Sequence, residues 1–273
     1  MSSTSNDETN LFNRIQEHEE ALGEKVQIAG KCIFCGGGPL TQEHIWPKWL
    51  KAFVGDVAPE TKHIVRNFDP SKLEWTEIKG KVERPGNVFS HRARVVCREC
   101  NNEWMSELQT RAKPIILDLK AGADFQLDDY EKREALSTWL AMFAFIKEQI
   151  SAHKTSPPQE LKQFKDDKLP PPGWLFLIAK YNGSPELNGL SWRHGMVVEE
   201  GFRDETFPML RSRFSLTVIL GQAVFYVAIN WGLKIPDDIA PRLTCIWPHP
   251  IAARSAEPLN DKEVLRLAKT YAS

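Results

Sequence analysis

Two C-x-x-C pairs constrain this chain more than any other feature. Cys32-Ile33-Phe34-Cys35 runs into Gly36-Gly37-Gly38, and Val95-Val96 leads into Cys97-Arg98-Glu99-Cys100. Together they hold four of the five cysteines. A tetrahedral zinc ion needs four ligands at about 2.3 Å, and two such pairs supply all of them. Free buried cysteines have no reason to take this spacing twice. The expectation is therefore one zinc site of Cys32, Cys35, Cys97 and Cys100 that closes a long loop. Paired metal spacing also argues for a reducing, cytoplasmic setting rather than a disulfide framework.

What lies beside each pair is chemically pointed. Gln42 to Trp49 reads as a short strand turning into a helix, with Pro47 at the first helical position. On a regular strand Glu43 and His44 face opposite sides, but at a strand end both can reach one metal-water site. His44 is near neutral at cellular pH and can take a proton from water. Glu43 offers hard oxygens suited to Mg²⁺ or Mn²⁺. After Cys100, residues 101 to 113 read as a helix, with Trp104, Leu108 and Ala112 on one face and Pro114 beyond its end. Asn101 or Asn102 fits its N-cap. Asn101 thus has two readings: a cap only, or a side chain whose oxygen faces a metal beside Glu43.

The order C-x-x-C, then acid-His-Ile-x-Pro, then C-x-x-C-Asn-Asn resembles the zinc-stapled form of the HNH (ββα-metal) endonuclease superfamily. The resemblance covers roughly residues 31 to 113. It is also similar to uncharacterised bacterial HNH-like proteins in which EHIxPxW and CxxCNxxW occur together. The resemblance implies a treble-clef/ββα-metal fold with structural Zn²⁺ on the four cysteines. It implies Glu43 and Asn101 as ligands of a catalytic Mg²⁺ or Mn²⁺, with His44 as the general base. Nucleic acid would be the partner, DNA favoured over RNA. The chain departs from the pattern at Met105, where a second helix ligand would fall. The middle asparagine of the motif has only Asn87 as a candidate.

Charge permits such a partner without demanding it. Net charge is −1, while residues 31 to 120 carry 15 Lys/Arg against 11 Asp/Glu. Lys79, Lys81, Arg84, Arg92 and Arg94 could follow a phosphate backbone, although such residues are more often the solvated face of a sheet. No apolar run approaches the ~18–20 residues of a membrane span. The polar, acidic first ten residues do not read as a secretory signal.

The remaining elements can be placed in order. Leu11, Ile15 and Leu22 share one helical face, and Gly23 is a stop. Leu73 to Ile78 and Lys81 to Arg84 read as a hairpin, and Val88 to Val96 as a strand entering the second cysteine pair. Asp128 to Ile150 reads as a long helix and the proline-rich stretch from Thr155 to Pro172 as a linker or long loop. Strands are expected at 174–180, 192–198, 214–220 and 223–229, the last two joined at Gly221-Gln222, with an edge strand at 243–247. Asn260 and Glu263 cap a final helix. Arg193 and His194 read as exposed sheet positions. Cys245 and the Trp174, Trp192, Trp231 and Trp247 set read as core.

The expected architecture is α+β. Residues 1–30 form a tail and helix, 31–120 a zinc-bound HNH-like domain, and 121–273 an antiparallel-sheet-plus-helix domain. That last part is left to dock substrate, form a homo-oligomer or meet an activating partner. The leading function is phosphodiester hydrolysis. The alternative is a zinc-stabilised nucleic-acid-binding or protein-interaction module without cleavage. A hydrolase built on the C-terminal half lacks any nucleophile-base constellation.

Overall fold

The computed structural model describes residues 30–54, 66–69, 74–77, 92–150, 154–196, 213–229 and 234–270. The expected helix over Leu11–Leu22, the Lys79–Arg84 stretch, Asn87 and Trp231 lie outside them.

The strand pair that ends at Cys97 comes first. Strand β1 (Leu40–His44) is followed by helix α1 (Lys48–Val54). β1 pairs antiparallel with β4 (Arg92–Cys97). Between them β2 (Arg66–Asp69) pairs with β3 (Glu74–Glu77). The strand expected around Trp75 is thus present and has an upstream partner in β2, while the expected partner at Lys81–Arg84 lies outside the described residues. Register is a property of two chains of hydrogen bonds, and one strand's sequence does not name its partner.

The helix after Cys100 differs from expectation in two ways. It is two helices, α2 (Arg98–Asn102) and α3 (Trp104–Lys120), separated at Glu103, whose backbone is non-helical. Pro114 lies inside α3 rather than beyond its end. A proline there removes one backbone hydrogen bond and costs the helix up to about 3 kcal/mol. Buried Ile115, Ile116 and Leu119 on the far side supply the packing that carries the helix through.

Helix α4 (Tyr130–Glu148) is the beam of the fold. Asp129 caps it, accepting a hydrogen bond from the Lys132 N–H. Every residue from Ala135 to Glu148 is buried, as expected of a helix covered on all sides. On one side Trp46 meets Phe143 at 4.8 Å between ring centroids. On the other Phe145 meets Trp174 at 4.9 Å. A single hydrophobic cluster therefore runs from Cys32 and Phe34 through α4 to Phe214 and Ile246.

The proline-rich stretch after α4 holds a helix, α5 (Pro158–Asp167), where the sequence read as linker. Pro158 occupies its first turn, where a missing N–H costs nothing. Leu161 and Phe164 are buried, and Lys168 closes the helix in the left-handed conformation at φ 53°. Phe164 reaches Phe34 and Trp104, so this helix roofs the cysteine site.

A five-stranded antiparallel sheet completes the fold, in the order β6-β7-β8-β5-β9. Its strands are β5 (Trp174–Lys180), β6 (Ser191–Met196), β7 (Arg213–Leu220), β8 (Ala223–Ile229) and β9 (Thr244–Trp247). The turn at Gly221-Gln222 and the edge position of β9 match expectation, and Trp174 and Cys245 are buried core. Helix α6 (Asp261–Ala268) covers the second face with the expected capping box of Asn260 and Glu263. Arg193 corrects the reading of an exposed sheet position. Its side chain is 7% exposed and donates to Glu148 at 2.6 Å. Among the described residues no helix is long and apolar enough to cross a membrane.

Candidate metal centre and the flanking hairpin

The first cysteine pair is shaped by glycine. Gly36 takes φ 71°, which lets the chain turn so that its N–H donates to the Cys32 carbonyl at 2.8 Å. The Cys32 N–H donates to the Gly37 carbonyl at 2.9 Å, and the Gly37 N–H points at Cys35 Sγ at 3.3 Å. The knuckle is pinned to β4 by the Ile33 N–H on the Val95 carbonyl, 2.9 Å.

The second pair grows from a strand end. Cys97 is the last residue of β4 and the N-cap of α2. Its Sγ accepts the Cys100 N–H at 3.4 Å, the place a serine or aspartate oxygen usually takes. Cys97 being the cap, Asn101 is not: the cap reading of Asn101 is overturned, because the cysteine ligand has already taken the orphan donor.

All four sulfurs lie within 4.8 Å of one another, with Cys35 Sγ and Cys97 Sγ at 3.5 Å. Four thiolates around one zinc at ~2.3 Å stand about 3.8 Å apart, so the set fits a tetrahedral ion. Cys32, Cys97 and Cys100 are buried and Cys35 is exposed. Burial raises the Cys100 and Cys35 thiols. At Cys32 burial pushes the same way, but hydrogen bonds from the Cys97, Cys35 and Phe34 backbone outweigh it and the pKa falls. The four cysteines are placed to hold a metal, and all-sulfur tetrahedral geometry suits zinc. Cys35 opens on a cleft of about 330 Å³ lined by Glu99, Glu103, Trp104, Lys165 and Lys168 among others.

Behind this cluster the hairpin separates Glu43 from His44. A register irregularity falls between Thr41 and Glu43, after which Glu43 sits opposite Ala93 and His44 opposite Arg92. Glu43 turns inward and is 9% exposed. Burial pushes its carboxyl up to about 7, against the Asn101 side chain, the Lys48 charge and the His44 N–H, which all favour the carboxylate. Asn101 Nδ2 also donates to Thr41 Oγ1 at 3.3 Å, and that hydroxyl donates to the Val96 carbonyl at 3.1 Å. The structure thus joins Glu43 and Asn101, two expected site residues far apart in sequence.

His44 lies on the other face of β1. Its Nε2 accepts the Arg92 Nε–H at 3.0 Å, and Arg92 Nη1 donates to Gln42 Oε1 at 3.1 Å. Burial, Arg92 and Lys48 together lower its pKa, keeping the ring neutral. Met105 is fully buried and offers nothing to a metal. Among the described residues the four cysteines form the one group of three or more His, Cys, Asp or Glu ligands. Glu43 with Asn101 is a two-residue pair. Sequence reasoning missed Arg92 as the partner of His44. Only the cross-strand register could have named it.

No family model, curated protein or solved structure matches the chain.

Proposed function

We propose that this chain is a metal-dependent phosphodiester hydrolase of the HNH type, with a treble-clef arrangement of the zinc knuckle, the β1–β4 hairpin and helix α2. The observation that carries the reading is the meeting of the buried Glu43 carboxyl with the side chain of Asn101, the residue that follows Cys100 in α2. A Glu oxygen and an Asn amide are hard ligands suited to Mg²⁺ or Mn²⁺. When bound, such an ion supplies Lewis-acid polarisation of a phosphoryl oxygen and charge stabilisation at the leaving oxygen.

The chain's own residues do the rest. The cysteine site holds the knuckle, strand end and helix start in one frame, so Glu43 and Asn101 keep their separation without contact between long flexible elements. His44 is neutral, so its Nε2, once parted from the Arg92 Nε–H, can take a proton from water. Arg92 and Arg94, exposed on the outer face of β4, with exposed Lys48, present cations to a phosphate backbone. The nucleic acid is DNA in this reading.

A second reading has its own observation. The one lone pair of neutral His44 is engaged by Arg92, and this favours a zinc-stabilised binding or interaction module in which Glu43 and His44 are structural. The test is nicking of plasmid, single-stranded DNA and RNA by the purified protein with Mg²⁺, Mn²⁺ and Ni²⁺ separately, beside His44→Ala. Cleavage lost in the variant supports the hydrolase. Equal cleavage by both removes His44 from the mechanism. No cleavage by either, with one zinc per chain, favours the module.

A further inference from the structure

We infer that Arg92 is a phosphate-released cap on His44, a positioning residue that keeps the base masked until a phosphate claims the guanidinium. For its ligand this cap rests on the phosphodiesterase reading above.

The geometry is specific. Arg92 and His44 are direct partners across the β1–β4 hairpin, and Gln42 lies two residues before His44 on the same strand. The guanidinium is clamped over this outer face by two hydrogen bonds, Nε–H to His44 Nε2 at 3.0 Å and Nη1–H to Gln42 Oε1 at 3.1 Å. An imidazole nitrogen that accepts from a guanidinium is unprotonated, so the ring proton is on Nδ1. Neutral imidazole has one lone pair, and here it is taken. The other tautomer would set two N–H groups against each other. His44 therefore has no nitrogen free to receive a proton from water while Arg92 stays in place.

Release follows from the relative strength of the two partners. A guanidinium forms paired, charge-assisted hydrogen bonds with phosphate oxygens, stronger than a single bond to a neutral ring. Arg92 is exposed and its Nη2 makes no hydrogen bond among the described residues. A phosphate can first engage that exposed edge and then draw the whole group away. Arg94 lies two residues on, also exposed on the solvent face of β4, and supplies a second cation for the adjoining phosphate. Substrate binding then uncaps the base, and water in an empty site meets a masked His44.

The test reads His44 directly, without turnover. Full-length protein is treated with diethylpyrocarbonate, which acylates an unprotonated imidazole nitrogen, and His44 is followed by peptide mass spectrometry. In wild type the labelling is slow. In Arg92→Ala it rises roughly tenfold, as expected for loss of one charge-assisted hydrogen bond. Arg92→Lys, which keeps the charge but not the aligned Nε–H, behaves like Arg92→Ala. Inorganic phosphate speeds labelling in wild type and leaves Arg92→Ala unchanged, a signature that simple occlusion or a merely structural arginine does not produce. Equal labelling of wild type and both variants overturns the cap. A wild-type rate that phosphate leaves alone or slows overturns the release. The expected labelling pattern in a protein that cleaves no nucleic acid keeps the cap and rejects the phosphodiesterase reading.

Discussion

A carboxyl whose burial outweighs its neighbouring cation should make this protein's stability fall as pH rises, and the fall should belong to one residue. Glu43 is 9% exposed, and burial moves its carboxyl from 4.5 to about 7. The sign follows from linkage. Between those values the native state holds a proton that the unfolded chain has released. Stability is therefore full below pH 4.5 and is lost as pH passes through 7. A displacement of that size corresponds to roughly 3 kcal/mol, reached above pH 7. That is a large share of the 5–15 kcal/mol that holds a typical domain together. Replacing Glu43 by Gln keeps the shape and the partner for Asn101 but removes the titration. In urea unfolding with zinc present and no other divalent ion, the stability of Glu43→Gln relative to wild type should rise by roughly 2–3 kcal/mol between pH 5 and pH 8.5. If the proposed divalent ion binds at Glu43, adding Mn²⁺ should raise wild-type stability more at pH 8.5 than at pH 5, since the ion would take the place of the proton. It should leave Glu43→Gln nearly unchanged. A difference between the two proteins that does not vary with pH would refute the reasoning, for it would mean that Glu43 is ionised throughout despite its burial.

Three further outcomes are expected. The protein should carry one zinc per chain, and cobalt exchanged into the site should show the visible bands of tetrahedral sulfur coordination. Cys100→Ser should lose both and change tryptophan fluorescence, because Trp104 packs on Phe34 at 5.1 Å beside the cluster. Glu148→Ala should cost about 3–5 kcal/mol in urea unfolding, since it strands the buried Arg193 together with the Thr155 and Ser156 N–H donors. The pair Glu148→Leu with Arg193→Met should recover only the share of that loss due to the stranded guanidinium, since the Thr155 and Ser156 N–H groups stay unpaired. Lys147 is buried, and its amine is lowered to about 8 by desolvation alone. Lys147→Met should therefore stabilise the protein by roughly 2–3 kcal/mol at pH 7. The native state resists the charge that the unfolded lysine keeps, so this gain should shrink as pH climbs from 8 towards 10.5. A pH-independent gain would point to packing instead.

The cysteine cluster was legible in the sequence because metal spacing is local. Two residues between paired thiols, glycines that turn the chain and a following helix start are written in a few consecutive positions. The central helix, the Gly221-Gln222 hairpin and the Asn260–Glu263 capping box were legible for the same reason. Each depends on periodicity or on neighbours within a few residues. Errors came where distant parts of the chain outweighed local preference. Helix α3 runs through Pro114 because Ile115, Ile116 and Leu119 are buried against other elements. Helix α5 forms in a proline-rich stretch because Leu161 and Phe164 have a core to enter.

The sequence by itself determined the four cysteines that are placed to hold a metal, the mixture of helix and antiparallel sheet, and the presence of Glu43, His44 and Asn101 close to the cysteines in the chain. Only the tertiary structure decided how those three are shared out. Strand alternation sends Glu43 inward to Asn101 and His44 outward, and the β1–β4 register sets Arg92 opposite His44. Cys97 takes the N-cap of α2 and frees Asn101 for Glu43. Register and capping depend on hydrogen bonds between segments far apart in the chain. No window of sequence contains both halves of such a bond, and it exists only once the chain has folded.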